Sequence, residues 1–132
     1  MLILQEVIER LRASSAGVEE LRANRHIIEN VIAALDCGQL RVAEPHNSDW
    51  KVNVWVRQAI YYYFQIADMV QYEVGPFTYY DKIPLKKNFA ELKVRVVPPA
   101  TARFGSFMEP GVVLMPSYVN IGSRIGAGTM VD

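Results

Sequence analysis

The chain has 132 residues, carries 14 lysines and arginines against 14 aspartates and glutamates, and is 51% apolar. That length supports one domain with a modest core, or one small domain and the start of another. A formal charge of zero argues against a nucleic acid or an anionic membrane as partner, since those are met by a basic excess or a basic stripe.

Leu4, Val7, Ile8 and Leu11 recur at three- and four-residue intervals, which predicts an amphipathic helix over Leu2 to Arg12. Ser14, Ser15 and Gly17 end it. A second helix is expected from Val18 to Asp36: Val18, Leu21, Ile28, Val31, Ile32 and Leu35 share one side, Glu19 and Glu20 sit where the helix dipole favours anions, and Gly38 lies just past the end. The arginines here, Arg10, Arg12, Arg22 and Arg25, are interleaved with glutamates and read as solvated helix faces. Cys37, the single cysteine, has no histidine beside it in sequence and is read as structural.

Leu40 to Glu44 and Trp50 to Val52 alternate around a turn-like Pro45 to Asp49, predicting a hairpin. Asn53 can cap a third helix over Val54 to Ala67, with Val56, Ala59, Ile60, Tyr63 and Phe64 on its buried face. The aromatics Trp55, Tyr61, Tyr62, Tyr63 and Phe64 are read as core, because no basic run accompanies them as it would on a base-stacking surface. Met69 to Val74 reads as a strand, Gly75-Pro76 breaks it, and Phe77 to Pro84 is expected to extend along the surface. Lys86 and Lys87 read as solvated. Val94 to Val97 is a strand closed by Pro98-Pro99, where the chain divides into a small α+β domain, residues 1–99, and a second unit, residues 100–132.

The second unit carries a period. In steps of six, Phe107, Val113, Val119, Ile125 and Val131 form one column, and Gly111, Ser117, Ser123 and Thr129 follow four places after the first four. A bulky residue every sixth position with a small one at the corner suits a coiled wall of short parallel strands, the large side chains filling the interior. A pair of ordinary antiparallel strands is the alternative.

Two histidines, His26 and His46, lack the spacing of a metal pair, and no metal is expected. One cysteine excludes an internal disulfide, the N-terminus lacks a secretory pattern, and the apolar runs are far shorter than the roughly 20 residues that span a bilayer. A cytoplasmic, soluble protein is expected.

The words Arg95-Val96-Val97-Pro98-Pro99, Leu114-Met115-Pro116-Ser117-Tyr118-Val119-Asn120-Ile121-Gly122 and Gly128-Thr129-Met130-Val131-Asp132 closely resemble the tetrahydrodipicolinate N-succinyltransferases of the bacterial diaminopimelate and lysine pathway. Weaker similarity reaches back through Tyr80 to Pro84 and Leu40 to Glu44. The resemblance implies an α+β N-terminal domain followed by the first coil of a left-handed parallel β-helix. It implies transfer of a succinyl group from succinyl-coenzyme A to the amino group of L-2-amino-6-oxopimelate, the ring-opened form of tetrahydrodipicolinate.

A dicarboxylate with one amine calls for a cation facing a carboxylate and a carboxylate facing the amine. The family's substrate-contacting arginine falls on Arg95, and its catalytic, substrate-binding aspartate on Asp132; Arg103 is a further candidate for an anion contact. The resemblance further implies a homotrimer with active sites between neighbouring solenoids. It puts the coenzyme A site and a second catalytic carboxylate beyond Asp132, so that this chain, read as truncated, would be inactive alone. A sister acyltransferase using acetyl-coenzyme A and a non-catalytic trimerising module are the other readings.

Overall fold

The computed structural model describes residues 1–132. Helices α1 (Leu2–Ala13), α2 (Val18–Ala23), α3 (Arg25–Asp36) and α4 (Val54–Ile66) enclose one core, in which Ile8, Leu11, Ile28, Ile32, Val56 and Ile66 are almost wholly buried. Each contributes the apolar stripe read from the three- and four-residue spacing. The expected helix over Val18 to Asp36 is in fact two. Asn24 separates them, its side-chain nitrogen donating to the Glu20 carbonyl at 2.9 Å, and an asparagine that hydrogen-bonds the preceding turn competes with the helical ladder. Helix α3 ends as expected, with Gly38 at φ +80 and the amides of Gly38 and Gln39 turned back to Leu35 and Ala34.

Strands β1 (Ala43–His46) and β2 (Asp49–Val52) form the first hairpin, with Ala43 opposite Val52. Pro45 and His46, expected in the turn, belong to β1, and the turn shrinks to Asn47-Ser48. Asn53 stands at the N-cap position of α4 but makes no side-chain cap bond; its Nδ2 donates to the Arg41 carbonyl instead. Strands β3 (Val70–Val74) and β4 (Phe77–Asp81) pair across Gly75-Pro76, so the segment after the break is the return strand of a second hairpin.

From Arg95 onward the chain makes two-residue strands: β5 (Arg95–Val96), β6 (Thr101–Ala102), β7 (Phe107–Met108), β8 (Val113–Leu114), β9 (Tyr118–Val119), β10 (Arg124–Ile125) and β11 (Met130–Val131). All pair in parallel, in three ladders: β5 with β8 and β8 with β11, β6 with β9, and β7 with β10. Strand β5 lies before Pro98-Pro99, so the stacked strands begin upstream of residue 100, where the division of the chain was expected. The short helix α5 (Phe89–Leu92) precedes them, and Phe89 and Leu92 pack under the interior of the stack, as the terminal cap of a repeat array must.

The interior matches the expected column at Val119, Ile125 and Val131 but not before them. It consists of Val96, Ala102, Met108, Leu114, Val119, Ile125 and Val131, which stack Val96 on Leu114 on Val131, Ala102 on Val119, and Met108 on Ile125. Phe107 and Val113, placed inside by the six-residue column, are the outward residues of their strands. The cause is one short corner. Five corners have four residues, each closed by a bond from the fourth amide to the first carbonyl, whereas Met115-Pro116-Ser117 has three. Four of the five place glycine third, at Gly105, Gly111, Gly122 and Gly128, all at positive φ, as a type II turn requires. The three-residue corner makes the step from Leu114 to Val119 five instead of six, which moves the repeat by one residue and exchanges the faces.

Candidate functional site

The outward residues of the three ladders meet three different environments. On β7 and β10 the pair Phe107 and Arg124 is covered by the end of α3. The Arg124 guanidinium lies 4.7 Å from the Phe107 ring centroid and its Nη1 donates to the Gly38 carbonyl at 3.0 Å. A Cβ on Gly38 would stand 2.8 Å from that ring, so only glycine permits this approach. Lys86, expected in solvent, is 3% exposed. Its Nζ donates to the Asp36 carbonyl at 2.7 Å and to Asp36 Oδ1 at 2.8 Å, and the same oxygen accepts from the Gly105 amide. The ammonium thus closes the C-terminus of α3, where the dipole favours a cation, and ties it to a corner of the strand stack. Lys87 is exposed, as expected.

On β6 and β9, the Arg103 guanidinium lies 5.9 Å from the outward ring of Tyr118 and 5.4 Å from that of Phe64. It pairs with Asp81, at the end of β4, at 2.9 Å and donates to Asn120 Oδ1 at 3.2 Å. Arg103, a candidate anion contact by sequence, therefore spends its fork holding hairpin β3–β4 against the stack. A cavity of about 440 Å³ remains between them.

The third ladder, β5, β8 and β11, is open. Its outward residues are Arg95, Val113 and Met130; Arg95 is exposed and Met130 59% exposed. No hydrogen bond or ion pair engages the Arg95 side chain. Asp132 follows Val131 on the same ladder and is also exposed. The register places Asp132 beside Met115, and Met115 beside Val97, consistent with the Met115 and Val97 amides donating to Val131 and Leu114. Two rungs of about 4.8 Å, and two residues of strand rise of about 3.3 Å each, separate the backbones of Arg95 and Asp132, so the two residues lie on one ladder without touching. Four cavities of about 360 to 440 Å³ lie elsewhere, and neither residue lines any of them.

A cation and a carboxylate whose backbones lie about 12 Å apart on one ladder can engage opposite ends of a small zwitterion, and neither must first break a bond within the chain. No group of three histidine, cysteine, aspartate or glutamate side chains is arranged to hold a metal ion, and no helix is long and apolar enough to cross a membrane. Sequence reasoning missed Lys86 and Arg124 as junction residues. An isolated lysine pair carries no signal of burial, and although the column with Ile125 inside already turns Arg124 outward, nothing in the sequence shows that the end of α3 packs over it.

Residues 3–66 match the family model described as tetrahydrodipicolinate N-succinyltransferase N-terminal. The whole chain is similar to the 2,3,4,5-tetrahydropyridine-2,6-dicarboxylate N-succinyltransferase of Sodalis glossinidius, at 40% identity over 141 residues covering 52% of that protein. The enzyme of the same name from Acinetobacter baylyi is 44% identical over 98% of this chain and 50% of its own length, and that of Xylella fastidiosa is 42% identical over 92% and 47%. The chain spans about half the length of the curated relatives it matches.

Proposed function

We propose that this chain, which belongs to the tetrahydrodipicolinate N-succinyltransferase family, supplies the acceptor-binding part of an acyltransferase in diaminopimelate and lysine biosynthesis. The observation that carries the reading is the open ladder. Of three outward faces, that of β7–β10 is covered by the end of α3 and that of β6–β9 is flanked by hairpin β3–β4 with Tyr118 still 55% exposed, while the third carries the exposed Arg95, with the exposed Asp132 at the end of the same ladder. The six-residue step and the parallel stacking support reading the strands as the first coil of a left-handed β-helix, a hand that departs from the usual crossover rule. An uncovered face with Met130 and Val113 beside the charges also suits a neighbouring copy, in keeping with a homotrimer in the cytoplasm.

In this reading Arg95 holds one carboxylate of L-2-amino-6-oxopimelate through charge-assisted hydrogen bonds. Asp132 receives the proton of the amine as it becomes a nucleophile. The nitrogen lone pair attacks the thioester carbonyl of succinyl-coenzyme A, the N–C bond forms, the C–S bond breaks, and the thiolate leaves with the electron pair. No residue of this chain is assigned to the thioester donor.

The test is a chimera in which residues 1–132 replace the matching half of the Acinetobacter baylyi enzyme, with release of free thiol followed from succinyl-coenzyme A. Acylation by the chimera is expected, with Asp132→Asn lowering turnover by about 100-fold or more. Arg95→Ala should raise the acceptor KM by about 10-fold or more, with donor KM unchanged. Normal turnover in Asp132→Asn would remove the base, and an unchanged acceptor KM in Arg95→Ala would return that arginine to the role of a solvated strand residue.

A further inference from the structure

L-2-amino-6-oxopimelate carries two carboxylates, one on the carbon that bears the amine and one at the far end of the chain. Arg95 is in β5, Asp132 follows β11, and β8 runs between them. Arg95 stands opposite Val113, and Asp132, one residue past the Val131–Leu114 pair, stands beside Met115. The path from one charge to the other therefore crosses β8 diagonally, from Val113 to Met115. Leu114 between them is fully buried, so β8 offers that path two side chains only. Both are apolar and both are partly exposed. The ladder thus runs from a cation, over an apolar step, to a carboxylate.

The separation decides between the two carboxylates. Between backbones the path is about 12 Å, and a hydrogen bond of about 2.9 Å at each end leaves about 6 Å for the ligand where the two side chains project side by side. An amino-acid nitrogen lies about 2.5 Å from its own carboxyl carbon, too short for that span. The distal carboxylate reaches it, and the C3 to C5 methylenes then lie over Val113 and Met115. None of the chain's ion pairs includes Arg95, so its guanidinium does not fold across β8 onto Asp132 and close the gap.

We propose that Arg95 binds the distal carboxylate of the acceptor, and that Val113 and Met115 form an apolar rail beneath its methylenes, with Met115 setting where the amine stands beside Asp132. The inference rests on the acceptor-binding role proposed above. It narrows the ligand class: the face selects α-amino acids whose far end is a second carboxylate, since a charge-assisted fork is satisfied only by an anion at that distance.

Calorimetric titration of the chimera, with no thioester present, reads binding apart from turnover. The probes are L-2-aminopimelate and L-2-aminoheptanoate, in which a methyl group replaces the distal carboxylate. Aminopimelate is expected to bind about 10-fold or more tighter, and Arg95→Ala to remove that difference by weakening aminopimelate alone. Met115→Gln, which puts an amide under the methylenes, should weaken both probes by about 4-fold, the worth of one buried methylene, while Met115→Leu, which stays apolar, restores both. Equal weakening of the two probes by Arg95→Ala would move that arginine to the α-carboxylate and overturn the assignment, and unchanged affinity in Met115→Gln would remove the rail. A chimera that binds without turning over still decides these points, whereas normal turnover in Asp132→Asn would sink the base and leave them standing. Failure to bind either probe would overturn both readings.

Discussion

Lys86 and Ser106 are the polar residues buried in this molecule, and the lysine shows what a single position can conceal. Its neighbours in sequence, Leu85 and Lys87, give no alternation or motif that marks it as interior; burial comes from Asp36, fifty residues away. Replacing it with methionine keeps the aliphatic stem and removes the ammonium. The Asp36 carboxylate then keeps only the Gly105 amide, and the last carbonyl of α3 loses its cap. Breaking a buried pair by removing one partner costs about 3 to 5 kcal/mol. Asp36 retains some solvent access, with its side chain 17% exposed, so Lys86→Met should lose about 3 kcal/mol in urea unfolding. A loss under about 0.5 kcal/mol, typical of surface changes, would restore the solvated reading. Arg95 and Asp132 were singled out for a different reason: each is embedded in a word of several residues, whereas Lys86 stands in none.

At the scale of the element, the strand stack was visible in the sequence while its phase was not. Valines and isoleucines six apart mark a repeat, but a two-residue strand presents one side chain inward and one outward, and both can be apolar. Phe107-Met108 and Val113-Leu114 are such pairs, so hydropathy alone could not choose between their members. The three-residue corner at Met115 to Ser117 decided it, and a corner shortened by one residue is invisible to a count that assumes a constant step. The helices were easier, because three- and four-residue spacing over a dozen positions overdetermines the buried side; the break at Asn24 and the one-turn α5, too short to show a period, escaped. The phase can be tested directly. Leu114→Ala, in the interior, should cost about 2 to 5 kcal/mol. Val113→Ala, on the outward side of the same strand, should cost under about 1 kcal/mol. Denaturant midpoints in the reverse order would put Val113 back inside, as the unbroken six-residue step has it.

At the scale of the whole molecule, the sequence suggested two units joined near Pro99, yet the side chains do not divide there. Ile121, from a corner of the strand stack, is buried in the same cluster as Ile32 and Ile60, and Phe104 packs against that cluster. The stack therefore lends two of its corners to the helical core, and the core in turn covers the β7–β10 ladder that no other element would shield. Two-residue strands contribute few hydrogen bonds each, so the stack gains its order from this shared burial as much as from its ladders. Gly105 is the point of closest approach. It has φ +93, and a Cβ there would lie 2.7 Å from Ile121 Cγ1 and 3.1 Å from Ile32 Cγ2. Neither contact can be relieved without shifting the corner away from α3. In the native chain, the Arg103 and Phe107 amides, which donate to Val119 and Ser123 across the ladders, should exchange with the same opening free energy as the Val31 and Ala59 amides of the helices. Gly105→Ala should separate them, the two ladder amides opening about 1 to 3 kcal/mol more readily, the range for overpacking a filled interior, while the helix amides change less. If the ladder amides of the native chain already exchange at a lower free energy than those of the helices, the stack does not depend on the helical core, and the boundary near Pro99 divides energies as well as sequence.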